Sequence, residues 1–323
     1  MVSSLVNITD RVNTCLKSAE THRKQANALR QSLTVARQHR FMRPLSPIHP
    51  SWNVGLPDQQ TILEVLSSGS PDDLVLSDRG FRITRKTMQR LAWPAVSRDH
   101  YLDTSIIDTY LALLSEYVST LCGDTKMHIV SPMISLKFFP TAYGPHDLDG
   151  IIDLGAIRHI PLKDLDLLVF PLNPRGTEHW WSVVFNFRSQ EIRVYNSSPS
   201  PARNSRKYVC ALKALVTEMF TRHHNSACDW AHWSVAGPEG TPKQANAYDC
   251  GVFLCMTITY VALQAPLNFT QDDMSQCRQH IAQRIISNKY YTSDTGKHRI
   301  TSPGTEQCTD VTPIYPDRLQ ASQ

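Results

Sequence analysis

The sequence predicts an α+β domain in which an antiparallel sheet is packed by helices. Three observations carry that prediction. A helical apolar stripe runs through "YLDTSIIDTYLALLSEYVSTLC". The centre of the chain then changes to short β-prone runs, "DLLVFPLNP", "HWWSVVFNF" and "EIRVYN". Helical periodicity returns in three later segments, and no internal repeat interrupts the order.

Taken in chain order, residues 11–43 hold eight Lys/Arg and one acidic residue. They read as one basic helix with a thin apolar side, either a solvated arm or a docking or localisation segment. Residues 44–75 are rich in Pro, Ser and Gly and read as a linker, so residues 1–75 form an N-terminal extension. Ordered signals begin near Leu76 and continue to about residue 290. Thr84 is placed to cap a short helix in "ITRKTMQRLA". In the next helix Ile106, Ile107, Tyr110, Leu111, Leu114 and Val118 share one face, with Asp103 or Thr104 as its cap. "HWWSVVFNF" and "EIRVYN" form a hairpin around "RSQ". "SRKYVCALKALVTEMFTRHH", the run after Cys250 and "DDMSQCRQHIAQRII" are the later helices. Residues 291–323 are polar and turn-rich and read as a flexible tail.

Composition narrows the function classes. The 323 residues are 41 % hydrophobic and 19 % charged with a net charge of +4, as in ordinary soluble globular proteins. No basic stripe interleaves with aromatics, so a nucleic-acid partner is not expected. No apolar stretch is long enough for a bilayer, and no secretory leader opens the sequence, so no membrane partner is expected. An intracellular, reducing compartment follows, nucleus or cytoplasm, with the eight cysteines as free thiols. His223, His224, Cys228 and His232 lie close together but match no strong zinc spacing, and no metal is expected.

The chemistry concentrates around "KQANAYDCGVFLC". Cys250 falls between a turn-prone segment and an apolar run, in the first turn of a core helix. Unpaired N–H groups and the positive dipole end favour thiolate there, and a nearby imidazolium would lower the thiol pKa further. In the hairpin, Trp181 or Trp180 pairs roughly opposite Asn196, which brings His179 and Asn196 to one open end. Gln244, six residues before Cys250, can donate its amide beside the Cys250 N–H as an oxyanion hole. Nucleophile, base, orienter and oxyanion donor are thus all available.

These blocks, "EHWWSVV", "IRVYNSS" and "KQANAYDCGVFLC", resemble the catalytic blocks of the SUMO-specific (sentrin-specific, ubiquitin-like-protein-specific) cysteine proteases. "YLDTSIID" and "APLNFTQDDMSQCRQHIAQRII" resemble further segments of that family, and the likeness covers about residues 76–290. It implies a papain-like, adenain-type fold. It implies cleavage after the C-terminal Gly-Gly of a ubiquitin-like modifier, SUMO foremost, with water as the only cosubstrate and no cofactor. Carried over, Cys250 is the nucleophile, His179 the base, Asn196 the orienter and Gln244 the oxyanion donor. Trp180 and Tyr101 would wall a narrow channel for the glycines, and Asp103 and Thr104 would face the modifier. The resemblance departs at Asn196, where the family has Asp, and at Thr104, where it has an acidic residue. A deneddylase, a deubiquitinase or an adenain-like processing protease is the alternative within enzymes, and a modifier-binding pseudo-protease the alternative outside them.

Overall fold

The computed structural model describes residues 54–288, apart from residues 79, 121–125, 140–147, 153–154, 175–176, 200–204, 226–227 and 238. The basic segment 11–43 and the tail 291–323 lie outside the described residues.

In chain order the elements are α1 (Leu56–Ser67), β1 (Leu74–Asp78), β2 (Phe81–Thr84), α2 (Arg85–Met88), α3 (Thr104–Thr120), β3 (Met127–Ile129), α4 (Pro132–Phe138), α5 (Leu148–Ile152) and α6 (Gly155–Arg158). They continue with β4 (Leu167–Leu172), β5 (Trp181–Asn186), β6 (Glu191–Tyr195), α7 (Ser205–His224), β7 (Ser234–Ala236), α8 (Cys250–Ala262) and α9 (Met274–Ser287). β1 and β2 form a separate hairpin, and β3–β4–β5–β6–β7 form a five-stranded sheet in that order.

The sheet is antiparallel across β4, β5 and β6, but both outer pairs, β3 with β4 and β6 with β7, run parallel. The reason lies in the connections. β5 and β6 are joined by the tight loop Phe187–Gln190, in which the Asn186 side chain accepts from the Arg188 and Ser189 amides at 3.1 and 3.0 Å. The outer pairs are joined through helices, and a helical crossover is what a parallel pair requires.

Strand alternation divides the interior into two cores. Leu167, Val169 and Val184 point to the side covered by α3, α8 and α9. Leu168, Phe170, Leu172, Val183, Phe185, Ile192 and Val194 point to the side covered by α7. β4 is therefore buried along its whole length, which explains the unbroken apolar run "LLVFPL". The α3 stripe predicted from sequence faces the first core, and the Tyr110 hydroxyl meets Thr259 Oγ1 of α8 at 3.0 Å. Trp230 and Trp233 pack edge-on against Phe185 in the second core.

One expectation is corrected. The stretch read as a linker carries α1, and Ile62 and Leu66 on one of its faces are 1 % and 7 % exposed within the first core. Its proline occupies the first turn, where the missing N–H costs nothing. Read as a breaker, that proline hid a short amphipathic helix.

Candidate active site

α8 is the structural centre of the site. Its residues are buried nearly all round, so it sits inside the domain with its first residue, Cys250, at the end of the sheet. The chain turns into it through Asn246, whose Oδ1 accepts from the Tyr248 and Asp249 amides at 3.1 and 2.9 Å. Gly251 is required by close approach, since a Cβ there would lie 2.9 Å from Leu102 Cβ.

Asp249, just before the helix, does not cap it with its side chain. Its carboxylate instead accepts from Arg278 Nε and Nη2 at 3.1 and 2.5 Å, from Asn246 Nδ2 at 2.7 Å and from Gln271 Nε2 at 2.7 Å. Arg278 also donates to the Arg90 and His100 carbonyls at 2.7 and 3.0 Å. Both side chains are sealed from solvent, 1 % and 3 % exposed. This ion pair ties the base of α8 to α9 and to the loop that leads into α3. Arg278 is the residue that sequence reasoning missed: it lies on a different helix, and no local spacing links it to Cys250.

Cys250 is 1 % exposed. Burial raises its thiol pKa, the backbone amides of Trp180 and Gly251 and the Tyr101 hydroxyl oppose that rise, and the Asp249 charge adds to it; the net direction is upward. Burial thus acts against the ionisation that a helix start favours.

His179 follows Glu178, which takes the left-handed φ of 44° as the chain enters β5. The register pairs Ser182 with Tyr195, so the hairpin brings its open end to Asn196 as the sequence suggested. His179 Nε2 lies 2.8 Å from Asn196 Oδ1. That oxygen also accepts from the Ser198 amide at 2.8 Å, which fixes it as an acceptor and puts the ring proton on Nε2. Nδ1 is then the free basic nitrogen. Burial lowers the His179 pKa, against a smaller rise from Asn196. No hydrogen bond joins His179 to Cys250 among the described residues. The next residue's amide, that of Trp180, acts on the sulfur. Burial acts against the charged form of each group.

Gln244 is 7 % exposed and held at both ends. Its Oε1 accepts from Ser197 Oγ at 2.6 Å, its backbone amide donates to the Ser197 carbonyl at 2.9 Å, and its Nε2 donates to the Asn246 carbonyl at 2.5 Å. The second Nε2 hydrogen remains for another acceptor.

The expected channel residues divide. Trp180 is fully buried in the first core and its indole donates to the Leu102 carbonyl at 2.9 Å. It is a core side chain here rather than an open wall, because α8 and the Leu102 segment close on both sides of it. Tyr101 is half-buried and reaches the Cys250 sulfur. Asp103 caps α3, accepting from the Ile106 amide at 3.1 Å, and lies 3.8 Å from Arg90 Nε. Its carboxylate is committed to the fold before any partner arrives. Thr104, next to it, is part-exposed.

A helix-flanked sheet, a cysteine heading the central helix and a His–Asn pair at the neighbouring hairpin together form the candidate site. Residues 101–290 match the Ulp1 protease family, C-terminal catalytic domain, more than half of this sequence, and the chain belongs to that family. It is 26 % identical to rat (Rattus norvegicus) sentrin-specific protease 2 over 234 residues, 71 % of this chain and 36 % of that protein. It is 26 % identical to ubiquitin-like-specific protease 1 of Saccharomyces cerevisiae over 152 residues, 47 % of this chain and 23 % of that one. The chain thus spans about a third of the length of the first of these relatives. Among solved structures it resembles the C-terminal Ulp1 protease domain determined in complex with Smt3, the yeast ortholog of SUMO, with TM-score 0.58, 20 % identity, and 73 % of this chain and 96 % of that one covered. It also resembles the Ulp1-like SUMO protease catalytic domain of Chaetomium thermophilum, with TM-score 0.60, 17 % identity, and 79 % and 96 % covered. Among the described residues no helix is long and apolar enough to cross a membrane.

Proposed function

We propose that the chain is a thiol protease that cuts after the C-terminal Gly-Gly of a ubiquitin-like modifier, SUMO foremost. It would either mature the precursor or release the modifier from lysine, inside the cell in the nucleus or cytoplasm. The observation that carries this reading is the His179–Asn196 pair held beside a cysteine at the head of α8. Membership of the Ulp1 family supports it. The catalytic domain runs from about residue 54, since α1 belongs to the first core.

In this mechanism His179 Nδ1 takes the Cys250 proton as the sulfur bonds to the glycine carbonyl carbon. The oxyanion that forms accepts from the free Gln244 Nε2 hydrogen and the Cys250 backbone N–H. Collapse of the tetrahedral centre breaks the C–N bond, and the imidazolium returns its proton to the leaving lysine or peptide amine. His179 then removes a proton from water, the water oxygen adds to the thioester, and the thiol is released. Asn196 holds the ring without fixing charge on it, as the Cys-His-Asn sets of other papain-like enzymes do.

The second reading, a protein that binds modifiers without cutting, draws on one observation: the Cys250 thiol is enclosed and its pKa pushed upward. Hydrolysis of fluorogenic C-terminal amides of SUMO, the neddylation modifier and ubiquitin separates these readings. Turnover of the SUMO amide, lost in Cys250→Ala, is expected. Turnover of another amide only would reassign the substrate. Binding without turnover of any amide would establish the second reading.

A further inference from the structure

The residues just past β6 and the segment before Cys250 are joined by a seam of hydrogen bonds, with Ser197 at its centre. Ser197 is 4 % exposed. Its carbonyl accepts from the Gln244 amide at 2.9 Å, and its hydroxyl donates to Gln244 Oε1 at 2.6 Å. One residue thus holds both the backbone and the side chain of Gln244. The seam continues through Asn196, whose carbonyl accepts from Lys243 Nζ at 2.8 Å and whose Oδ1 accepts from the Ser198 amide at 2.8 Å. That same Oδ1 receives His179 Nε2. Consecutive residues therefore serve the two halves of the site: Asn196 holds the ring and Ser197 holds the amide. A glutamine side chain has much rotamer freedom to lose, so aiming its amide takes more than one contact. The Asn246 carbonyl takes one Nε2 hydrogen and Ser197 holds the oxygen, which leaves the second hydrogen in one direction.

We propose that Ser197 is a positioning residue of the reaction: its hydroxyl fixes the Gln244 amide where the oxyanion forms, and its place next to Asn196 sets that amide against the imidazole. This rests on the reading of Gln244 as the oxyanion donor and of Cys250 as the nucleophile. Ser197 itself touches no reacting atom. An oxyanion donor helps most when it is aimed before the charge appears, because no reorganisation is then needed as the reaction proceeds. Without the Ser197 hydroxyl, the backbone bond to Gln244 and the Asn246 contact both stay in place, so the segment remains docked while its amide gains freedom to turn. The loss falls on the step that builds negative charge on the carbonyl oxygen. It does not fall on the sulfur's own reactivity, since alkylation of a thiol forms no oxyanion.

The test compares Ser197→Ala with wild type in two reactions of the full chain: hydrolysis of a SUMO C-terminal amide, and alkylation of Cys250 by iodoacetamide read by mass spectrometry. The kcat of Ser197→Ala should fall about tenfold with KM within about twofold, a smaller loss than the roughly hundredfold or more expected when Gln244→Ala removes the donor itself. Alkylation should stay within about twofold of wild type, because it draws on no transition-state oxyanion contact. Ser197→Thr keeps a hydroxyl, and the small cavity that Ser197 lines with Thr241 and Phe253 takes the added methyl, so kcat should largely return. In the double variant the two losses should not multiply, and kcat should match that of Gln244→Ala alone. An unchanged kcat in Ser197→Ala, or losses that multiply in the double variant, would overturn the proposal. So would alkylation that slows together with kcat, or a variant that fails to fold, because the hydroxyl would then serve the structure as a whole. A wild type that hydrolyses no modifier amide would remove the protease reading itself. Wild-type turnover that is indifferent to Ser197 would remove this residue's role alone.

Discussion

Two polar pairs sit on either side of Cys250 and are built in opposite ways. Beneath α8, Asp249 and Arg278 are both charged and both sealed, with four hydrogen bonds into the carboxylate and four from the guanidinium. Beside it, His179 and Asn196 are joined by one hydrogen bond with no formal charge between them. The difference separates placement from chemistry. A buried ion pair so densely hydrogen-bonded locks geometry, and it is costly to break from one side. A neutral pair leaves the imidazole free to change protonation during a reaction. The protein puts rigidity under the sulfur and freedom beside it.

The sharpest way to break this comparison is to remove the group that both pairs serve. Cys250→Ala should bring turnover of a SUMO C-terminal amide to background while leaving modifier binding and melting temperature near wild type; retained turnover would refute the assignment. Arg278→Met attacks placement. It strands Asp249 in the interior and should cost about 3–5 kcal/mol, seen as a lower denaturant midpoint and lost activity together. Trp180→Ala should behave the same way, at about 3–5 kcal/mol, because the ring is core. That reverses the expectation from sequence, in which hydrolysis would suffer far more than stability. Loss of activity at unchanged stability would restore Trp180 as a channel wall.

The smallest effect tests the chemical pair. His179 is held below the ordinary imidazole value by burial, so the acid limb of kcat/KM should lie below pH 6.5. Asn196→Asp adds a negative charge next to the ring, which favours imidazolium and moves that limb to higher pH. The rate on the plateau should be preserved or raised. A dead variant would mean that Asn196 does more than orient the ring. Lys243 Nζ, 2.8 Å from the Asn196 carbonyl, brings a cation close to the new carboxylate and should blunt the shift.

Much of this was legible in the sequence because it is local. The hairpin register, the Thr84 and Asp103 caps and the position of Cys250 at a helix start follow from spacing and turn chemistry. The features that were not legible depend on burial or on distant partners. The thiol pKa moved upward because the site is dry, and dryness is a tertiary property. Asp249 is half of a buried ion pair because Arg278 on α9 reaches it across the core, and no local spacing links the two. The parallel outer strands were hidden because pairing direction depends on where helical crossovers return, and strand residues do not encode that. α1 was hidden by its proline.

The central claim is that the enclosed cysteine reacts and the accessible ones do not. Cys210 is exposed, while Cys250 is buried at the head of α8. Treatment with a SUMO protein bearing a C-terminal electrophile, followed by peptide mass mapping, compares them directly. The account predicts one adduct, on Cys250, that disappears when His179 is replaced by Ala. An adduct on Cys210, or labelling of Cys250 that is indifferent to His179, would contradict it.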